Sequence, residues 1–154
     1  MAQPQASTFT KVVAAAILLG SVTVAWFVWR RNVGSHVLKS FTQAQVIGRP
    51  PTWDQTIIFG DGRSVQVFGH DGPGGSISFK YSDDSEPKQI VGSWDYVYPC
   101  EIRYNQDTQR IYIRQSGLSG GMFKEIVLYE YDLKARNMIH RVHVSAGSLS
   151  NQSK

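Results

Sequence analysis

The sequence has a single cysteine, Cys100, among its 154 residues. One cysteine excludes an intramolecular disulfide and any zinc site with more than one thiolate ligand. Charged residues make up 18% of the chain and hydrophobic residues 42%, a balance that excludes a disordered protein. Catalytic motifs are also missing: the glycine-rich stretch 69–75 lacks the Gly-Lys-Ser/Thr of a P-loop, and no serine lies in a Gly-x-Ser-x-Gly elbow. We therefore predict no catalytic, cofactor-binding or metal-binding residues.

Charge is absent altogether from residues 12–29, which read VVAAAILLGSVTVAWFVW. As a helix these residues would span roughly 27 Å, close to the thickness of a bilayer's hydrocarbon core. The sequence therefore predicts a single-pass transmembrane helix that contacts the lipid bilayer through residues 12–29. Aromatic and basic residues at its end are typical of the membrane interface, and those predicted to lie there are Trp26, Trp29, Arg30 and Arg31.

A cleaved signal peptide is the main alternative to a retained signal-anchor, with a small-residue cleavage site ending at Ala25. Retention is favoured because the apolar run is long, ends in bulky residues and is followed at once by two arginines. The positive-inside rule compares Lys11 with Arg30, Arg31 and Lys39 and on its own favours a cytoplasmic C-terminal domain. The low lysine and the high Ser, Gln, Tyr and Gly content of that domain favour the extracytoplasmic side, which is the side we expect.

The formal net charge of +4 belongs mostly to this anchor. Lys11, Arg30 and Arg31 flank the apolar run and leave 13 basic against 12 acidic residues from Asn32 onward. A nearly neutral domain lacks the excess of basic residues that binds a phosphate backbone, so nucleic acid is not a predicted partner.

Composition and the positions of proline and glycine divide the chain into five segments. Ser35 is a plausible N-cap of a short helix to Val46, with Val37, Leu38 and Phe41 as its apolar stripe. That helix packs on its own domain or, alternatively, lies on lipid or pairs between protomers. The predicted segments are an N-terminal tail (1–11), the transmembrane helix (12–29), a juxtamembrane helix with a Pro-rich joint (30–52), a β domain (53–144) and a disordered tail (145–154).

Apolar and polar residues alternate with a period of two from Trp53 almost to the C-terminus. Gly60-Asp61-Gly62 is a hairpin turn signal, and the strand 76–81 alternates apolar and polar residues throughout. Strands recur roughly every 10 to 15 residues with turn signals between them, a spacing typical of antiparallel folds. The predicted fold is mainly β: a transmembrane helix, a short juxtamembrane helix, and a small antiparallel β-meander, sandwich or barrel.

Aromatic residues crowd the C-terminal half, where they would serve either a core or a binding surface. Tyr112 is a surface candidate because it shares a face with Arg110 and Arg114, opposite two isoleucines. The loop 116–123 combines apolar residues with flexible glycines, as partner-contact loops do. The candidate partner-contact residues are Trp94, Tyr112, Arg114, Leu118, Met122 and Phe123.

Three functions remain open at the level of sequence. The favoured one is a membrane-anchored, non-enzymatic module that binds a protein partner, forms a homo-oligomer or belongs to an envelope complex. The second is an anchored small-ligand sensor or carrier with an aromatic-lined cavity. The third is a small hydrolase using dispersed Asp, His or Cys residues, although His140 and His143 lie three apart on a strand and so point to opposite faces.

Overall fold

The computed structural model describes residues 8–48, 54–69, 76–91, 97–117 and 125–145. In these ranges the chain forms one helix and nine strands. They are α1 (Thr8–Gln43), β1 (Gln45–Gly48), β2 (Asp54–Ile58), β3 (Ser64–Gly69), β4 (Ile77–Tyr81), β5 (Lys88–Val91), β6 (Val97–Asn105), β7 (Arg110–Gly117), β8 (Glu125–Asp132) and β9 (Asn137–Ser145). The chain divides into two compact units, Met1–Ser35 and His36–Lys154.

The N-terminal unit consists of the apolar part of α1. Its side chains from Lys11 to Arg30 are exposed, and Leu19 is 70% exposed. From Lys11 the helix is long and apolar enough to cross a membrane, and its most apolar 18-residue window has a mean hydropathy of 2.2. A helix of this kind near the N-terminus is either a membrane anchor or a signal sequence.

Two hydroxyl side chains interrupt the apolar stretch of α1. Ser21 donates to the carbonyl oxygen of Leu18 at 2.9 Å, and Thr23 donates to that of Leu19 at 2.5 Å. Each hydroxyl is thus paired within its own helix, so neither leaves an unsatisfied donor in an apolar surrounding.

The helix does not end and restart near Ser35, and the predicted separate helix from Ser35 to Val46 is wrong. α1 is continuous to Gln43, so Ser35 lies inside it rather than at a cap, and Val46 belongs to β1. The predicted apolar stripe is confirmed, since Val37, Leu38 and Phe41 are buried. No proline interrupts the chain between residues 29 and 43, and the burial of this stripe in the C-terminal unit favours the helical conformation there.

The strands form two antiparallel sheets, which confirms the predicted mainly β architecture. The five-stranded sheet has the order β1-β6-β7-β8-β9, and the four-stranded sheet has the order β2-β3-β4-β5. Two strands were not predicted. Val46 and Ile47 of β1 were assigned to a helix and to its joint, and β5 has only four residues without clear alternation.

The turn between β2 and β3 follows from its glycines. The Phe59 N–H donates to the Arg63 carbonyl at 2.8 Å, and the Gly62 N–H donates to the Phe59 carbonyl at 3.0 Å. Gly62 has a φ of 83°, a left-handed conformation that costs glycine little. The predicted hairpin turn at Gly60-Asp61-Gly62 is therefore confirmed.

The inner faces of the two sheets share one hydrophobic core. The buried side chains that form it are Ile57, Val65, Val67, Ile77, Phe79, Tyr81, Val91, Ile102, Ile111, Ile113, Val127, Tyr129, Tyr131 and Leu133. Phe79 and Tyr131 meet edge to face with ring centroids 5.0 Å apart, and the Tyr81 hydroxyl donates to the Leu133 carbonyl at 3.0 Å. These contacts join β4 to β8 and to the turn after it, so the unit is a β sandwich.

The opposite face of the five-stranded sheet is also covered. Tyr112 and Leu128 alternate with core residues along β7 and β8, yet they are 1% and 0% exposed. The last turns of α1 lie against this face: Arg103 of β6 contacts Phe41, and Ser40 hydrogen-bonds to Tyr112. The C-terminal unit therefore has three layers, formed by the end of α1, the five-stranded sheet and the four-stranded sheet.

Candidate functional site

A buried carboxylate lies on the outer face of the five-stranded sheet. Glu130 falls between Tyr129 and Tyr131 on β8, so its side chain points away from the core, and it is 0% exposed. One carboxylate oxygen accepts from Arg110 Nη1 at 2.7 Å and from the hydroxyl of Tyr112 at 3.2 Å. The other lies 2.8 Å from His140 Nδ1.

These donors keep Glu130 ionised. Burial alone would raise the pKa of the Glu130 carboxyl, but hydrogen bonds from His140 and Arg110 and the charge of Arg110 lower it further than burial raises it. The net pKa lies below the ordinary value of 4.5. Burial also raises the pKa of Tyr112, so its hydroxyl remains a proton donor to the carboxylate. Both carboxylate oxygens of Glu130 are paired in this network, whereas the buried Nε of Arg110 has no hydrogen-bond partner.

A second buried carboxylate, Glu101, connects β6 to the end of α1. Glu101 is 4% exposed, pairs with Arg103 Nε and lies 3.5 Å from Arg114 Nη2. Arg103 Nη1 in turn donates to the carbonyls of Phe41 at 3.2 Å and Thr42 at 3.0 Å. A cation at these last carbonyls satisfies acceptors that have no partner within the helix and complements the negative end of its dipole.

The structure places two of the predicted partner-contact residues on this face. Tyr112 does share it with Arg110 and Arg114, but the predicted surface exposure of Tyr112 is wrong, because α1 covers the tyrosine. The side chain of Arg114 is 30% exposed and pairs with Glu101.

The remaining predicted contact residues, Trp94, Leu118, Met122 and Phe123, lie outside the described residues, as does the side chain of Cys100. Their assignment to partner contact stays a prediction.

The histidines of β9 do not converge on a metal. His140 is paired across the strands with Glu130, and His143 is paired with Val127, whose side chain lies in the core. Within the described ranges, no three His, Cys, Asp or Glu residues are grouped as metal ligands would be.

Two clefts lie at the margins of the sandwich. One of about 190 Å³ is lined by the turn residues Phe59, Arg63, Gln109 and Lys134. The other, of about 290 Å³, is a groove that runs along β2 beside β1 and the turn after β6. We call it the lateral groove, and its lining includes Ile47, Gln55, Thr56, Ile58, Tyr104 and Gln109.

The roles of Glu130 and Arg103 were not predicted from the sequence. Each alternates with apolar strand residues, a pattern that predicts a solvated outer face. The one indication in the sequence that a sheet face is covered was the apolar stripe at residues 37–41, because such a stripe packs against another surface of its domain. Only the fold shows which surface it covers.

At the end of the apolar stretch, aromatic and basic side chains lie together as the sequence predicts. The guanidinium of Arg30 lies 5.2 Å from the ring centroid of Trp26, and Trp29 is 61% exposed. Such side chains are suited to a membrane interface.

Compared with known proteins, the chain matches no family model, no curated protein and no solved structure.

Proposed function

We propose that this chain is a membrane-anchored, non-enzymatic interaction module that holds a β sandwich at a bilayer surface to bind protein. One observation carries the proposal. The buried carboxylates of Glu101 and Glu130 are paired with Arg103, Arg110 and His140 of the sheet, and neither carboxylate lines either of the two clefts described. A network used in this way stabilises the domain and leaves its surface for binding.

The anchor is retained in this proposal. The exposed apolar side chains of residues 12–29 need a lipid environment, because water would be in contact with a continuous apolar surface. Arg30 and Arg31 end the stretch where an interface is expected, and no small-residue segment follows them at once. We place the β sandwich on the extracytoplasmic side, as part of an envelope complex.

Binding through strand edges is consistent with the sheet topology. The described pairings leave β2 and β5 at the edges of one sheet and β1 and β9 at the edges of the other. A strand edge offers unpaired backbone donors and acceptors, which bind extended segments of other chains.

Photo-cross-linking of the full chain in native membranes tests this proposal. A photoreactive residue is placed singly at Ile58, Gln89 or Arg141, each exposed on a different edge strand. We expect at least one position to give a discrete adduct whose added mass is that of a protein, identified by mass spectrometry. A matched probe at the exposed turn residue Glu86 is the control. Absence of a protein adduct at all three positions would contradict protein binding through β2, β5 and β9.

A reporter fused after Lys154 tests the side of the membrane. A reporter that is active only outside the cytoplasm should be active, and a cytoplasmic reporter at the same position should be silent. The reverse result would place the sandwich inside the cell and remove envelope partners from consideration.

A further inference from the structure

The outer edge of β2 has backbone groups directed away from its sheet. The Phe59 N–H donates to the Arg63 carbonyl, and two residues earlier Ile57 lies opposite Val65 of β3. Phe59 and Ile57 therefore direct their backbone groups towards β3. Because backbone groups in an antiparallel pair alternate between the two sides of a strand, Thr56 and Ile58 direct their N–H and C=O groups outward. In the described ranges, no strand pairs with this edge.

One side chain of β2, that of Ile58, is apolar where contact with water would favour a polar residue. Ile58 is 73% exposed, and beyond α1 it is the one large apolar side chain so exposed in the part of the chain that the structure describes. The lateral groove leaves room beside it, between β2 and the residues Ile47 and Tyr104. An accessible edge with an exposed isoleucine is a template for pairing with another strand.

Of the other three edges in the described ranges, the four-residue β1 has one exposed side chain, Gln45, and the nine-residue β9 is protected by charge. β9 carries His140, Arg141 and His143, so a second copy of β9 placed opposite would bring basic side chains together. β5 begins with Lys88 directly after a proline, another feature that discourages edge pairing. The last four residues of β2, Gln55 to Ile58, carry no charge, and the side chain of Asp54 accepts a hydrogen bond from Gln66 at 3.0 Å.

We propose that β2 pairs with β2 of a second copy of this chain, antiparallel and centred on Ile57. In this register Ile57 lies opposite its own counterpart, and Thr56 of each copy lies opposite Ile58 of the other. The outward backbone groups of Thr56 and Ile58 then hydrogen-bond to each other across the pair. β-branched residues meet β-branched residues at every central position, and no like charges face each other.

This inference rests on the proposed anchoring. A pair of five-residue strands buries far less than the roughly 1,600 Å² of a typical stable interface, so pairing in free solution would be weak. Two anchors confined to one membrane raise the effective concentration of the edges and favour the pair without new contacts. An uncharged edge is therefore better suited to a second anchored copy than to a charged soluble peptide.

Cysteine cross-linking in membranes tests the register. Full-length chains with Cys100→Ser carry Thr56→Cys on one tagged copy and Ile58→Cys on a differently tagged copy, and are co-expressed. Directly opposite residues of an antiparallel pair lie within disulfide range. We expect the mixed disulfide to form faster than either self-disulfide and faster than any disulfide from the control Gln89→Cys on β5. Equal or slower formation of the mixed disulfide would overturn the proposal.

Energy transfer between labelled full-length copies in lipid vesicles provides a readout without engineered cysteines at the edge. Ile58→Lys should abolish the transfer, because two charged side chains would stand close together across the pair, whereas Gln89→Lys should leave it unchanged. Transfer that survives Ile58→Lys would overturn the proposal. If the copies do not pair but photo-cross-linking captures another protein, this inference fails and the proposed function stands. If the chain is not held in the membrane, the proposed function itself fails.

Discussion

Arg103 of the five-stranded sheet contacts both the backbone and the side chain of Phe41 near the end of α1. Arg103 Nη1 donates to the Phe41 carbonyl at 3.2 Å, and the guanidinium lies 4.5 Å from the centroid of the Phe41 ring. The same guanidinium pairs with the buried Glu101. One side chain thus caps the helix, covers an aromatic ring and neutralises a carboxylate.

Replacing this arginine should destabilise the whole C-terminal unit. We expect Arg103→Met to lower the free energy of unfolding by about 3 kcal/mol, because the buried Glu101 loses its ion pair with Arg103 and the Thr42 carbonyl loses this donor. Denaturant unfolding of the full chain in detergent measures this. Arg63→Met is the matched control, since Arg63 pairs with Asp61 at the exposed surface, and it should cause no measurable change. Equal stability of the two variants would contradict the capping role.

Stability should fall in acid partly through Glu130. Its pKa in the folded protein is lowered relative to the ordinary 4.5, so the ionised form is bound more tightly in the folded state. The resulting stabilisation is complete above pH 4.5 and is lost as the pH falls through the lowered folded-state pKa. Glu130→Gln should reduce stability at pH 7 by about 3 kcal/mol and flatten the decline below pH 4.5. Unfolding measured at several pH values tests this, and parallel curves for both proteins would refute it.

We expect the sandwich to need the end of α1 in order to fold. A chain that begins at residue 49 lacks β1 and exposes the surface that Val37, Leu38 and Phe41 cover, and each of these side chains contributes about 1.5–3 kcal/mol by burial. That loss is comparable to the total stability of many domains. We expect a fragment of residues 32–154 to resist limited proteolysis and a fragment of residues 49–154 to be degraded. Equal resistance would show that the sheets are stable without the helix.

A charge in the middle of the apolar stretch should prevent anchoring. Leu19→Arg places a cation near the centre of residues 12–29 at a cost of about 2.5–3.5 kcal/mol for insertion. The variant should be lost from the membrane fraction that resists alkaline extraction, while Leu19→Ala should remain there. The intact mass of the purified membrane protein should include residues 12–29. A mature chain that begins at Trp26 would instead identify a cleaved signal sequence.

The sequence by itself determined the apolar helix and most of the strands, because both depend on local periodicity. Eighteen residues without charge define α1 between Lys11 and Arg30, and alternation places Val127, Tyr129 and Tyr131 on one face. Signals that act over a few residues can be read without knowing the fold. Short β1 and β5 lack such a signal and become strands by pairing with β6 and β4.

Only the tertiary structure decided which faces are covered. Tyr112 and Glu130 follow the pattern of a solvated sheet face, yet both are buried, and Ser40 of α1 hydrogen-bonds to Tyr112. In contrast, Ile58 resembles a core residue in sequence and is exposed at the edge of its sheet. Burial depends on contacts between elements far apart in the chain, such as Phe41 with Arg103. Local periodicity assigns a side chain to a face, and the packing of distant elements determines whether that face meets water.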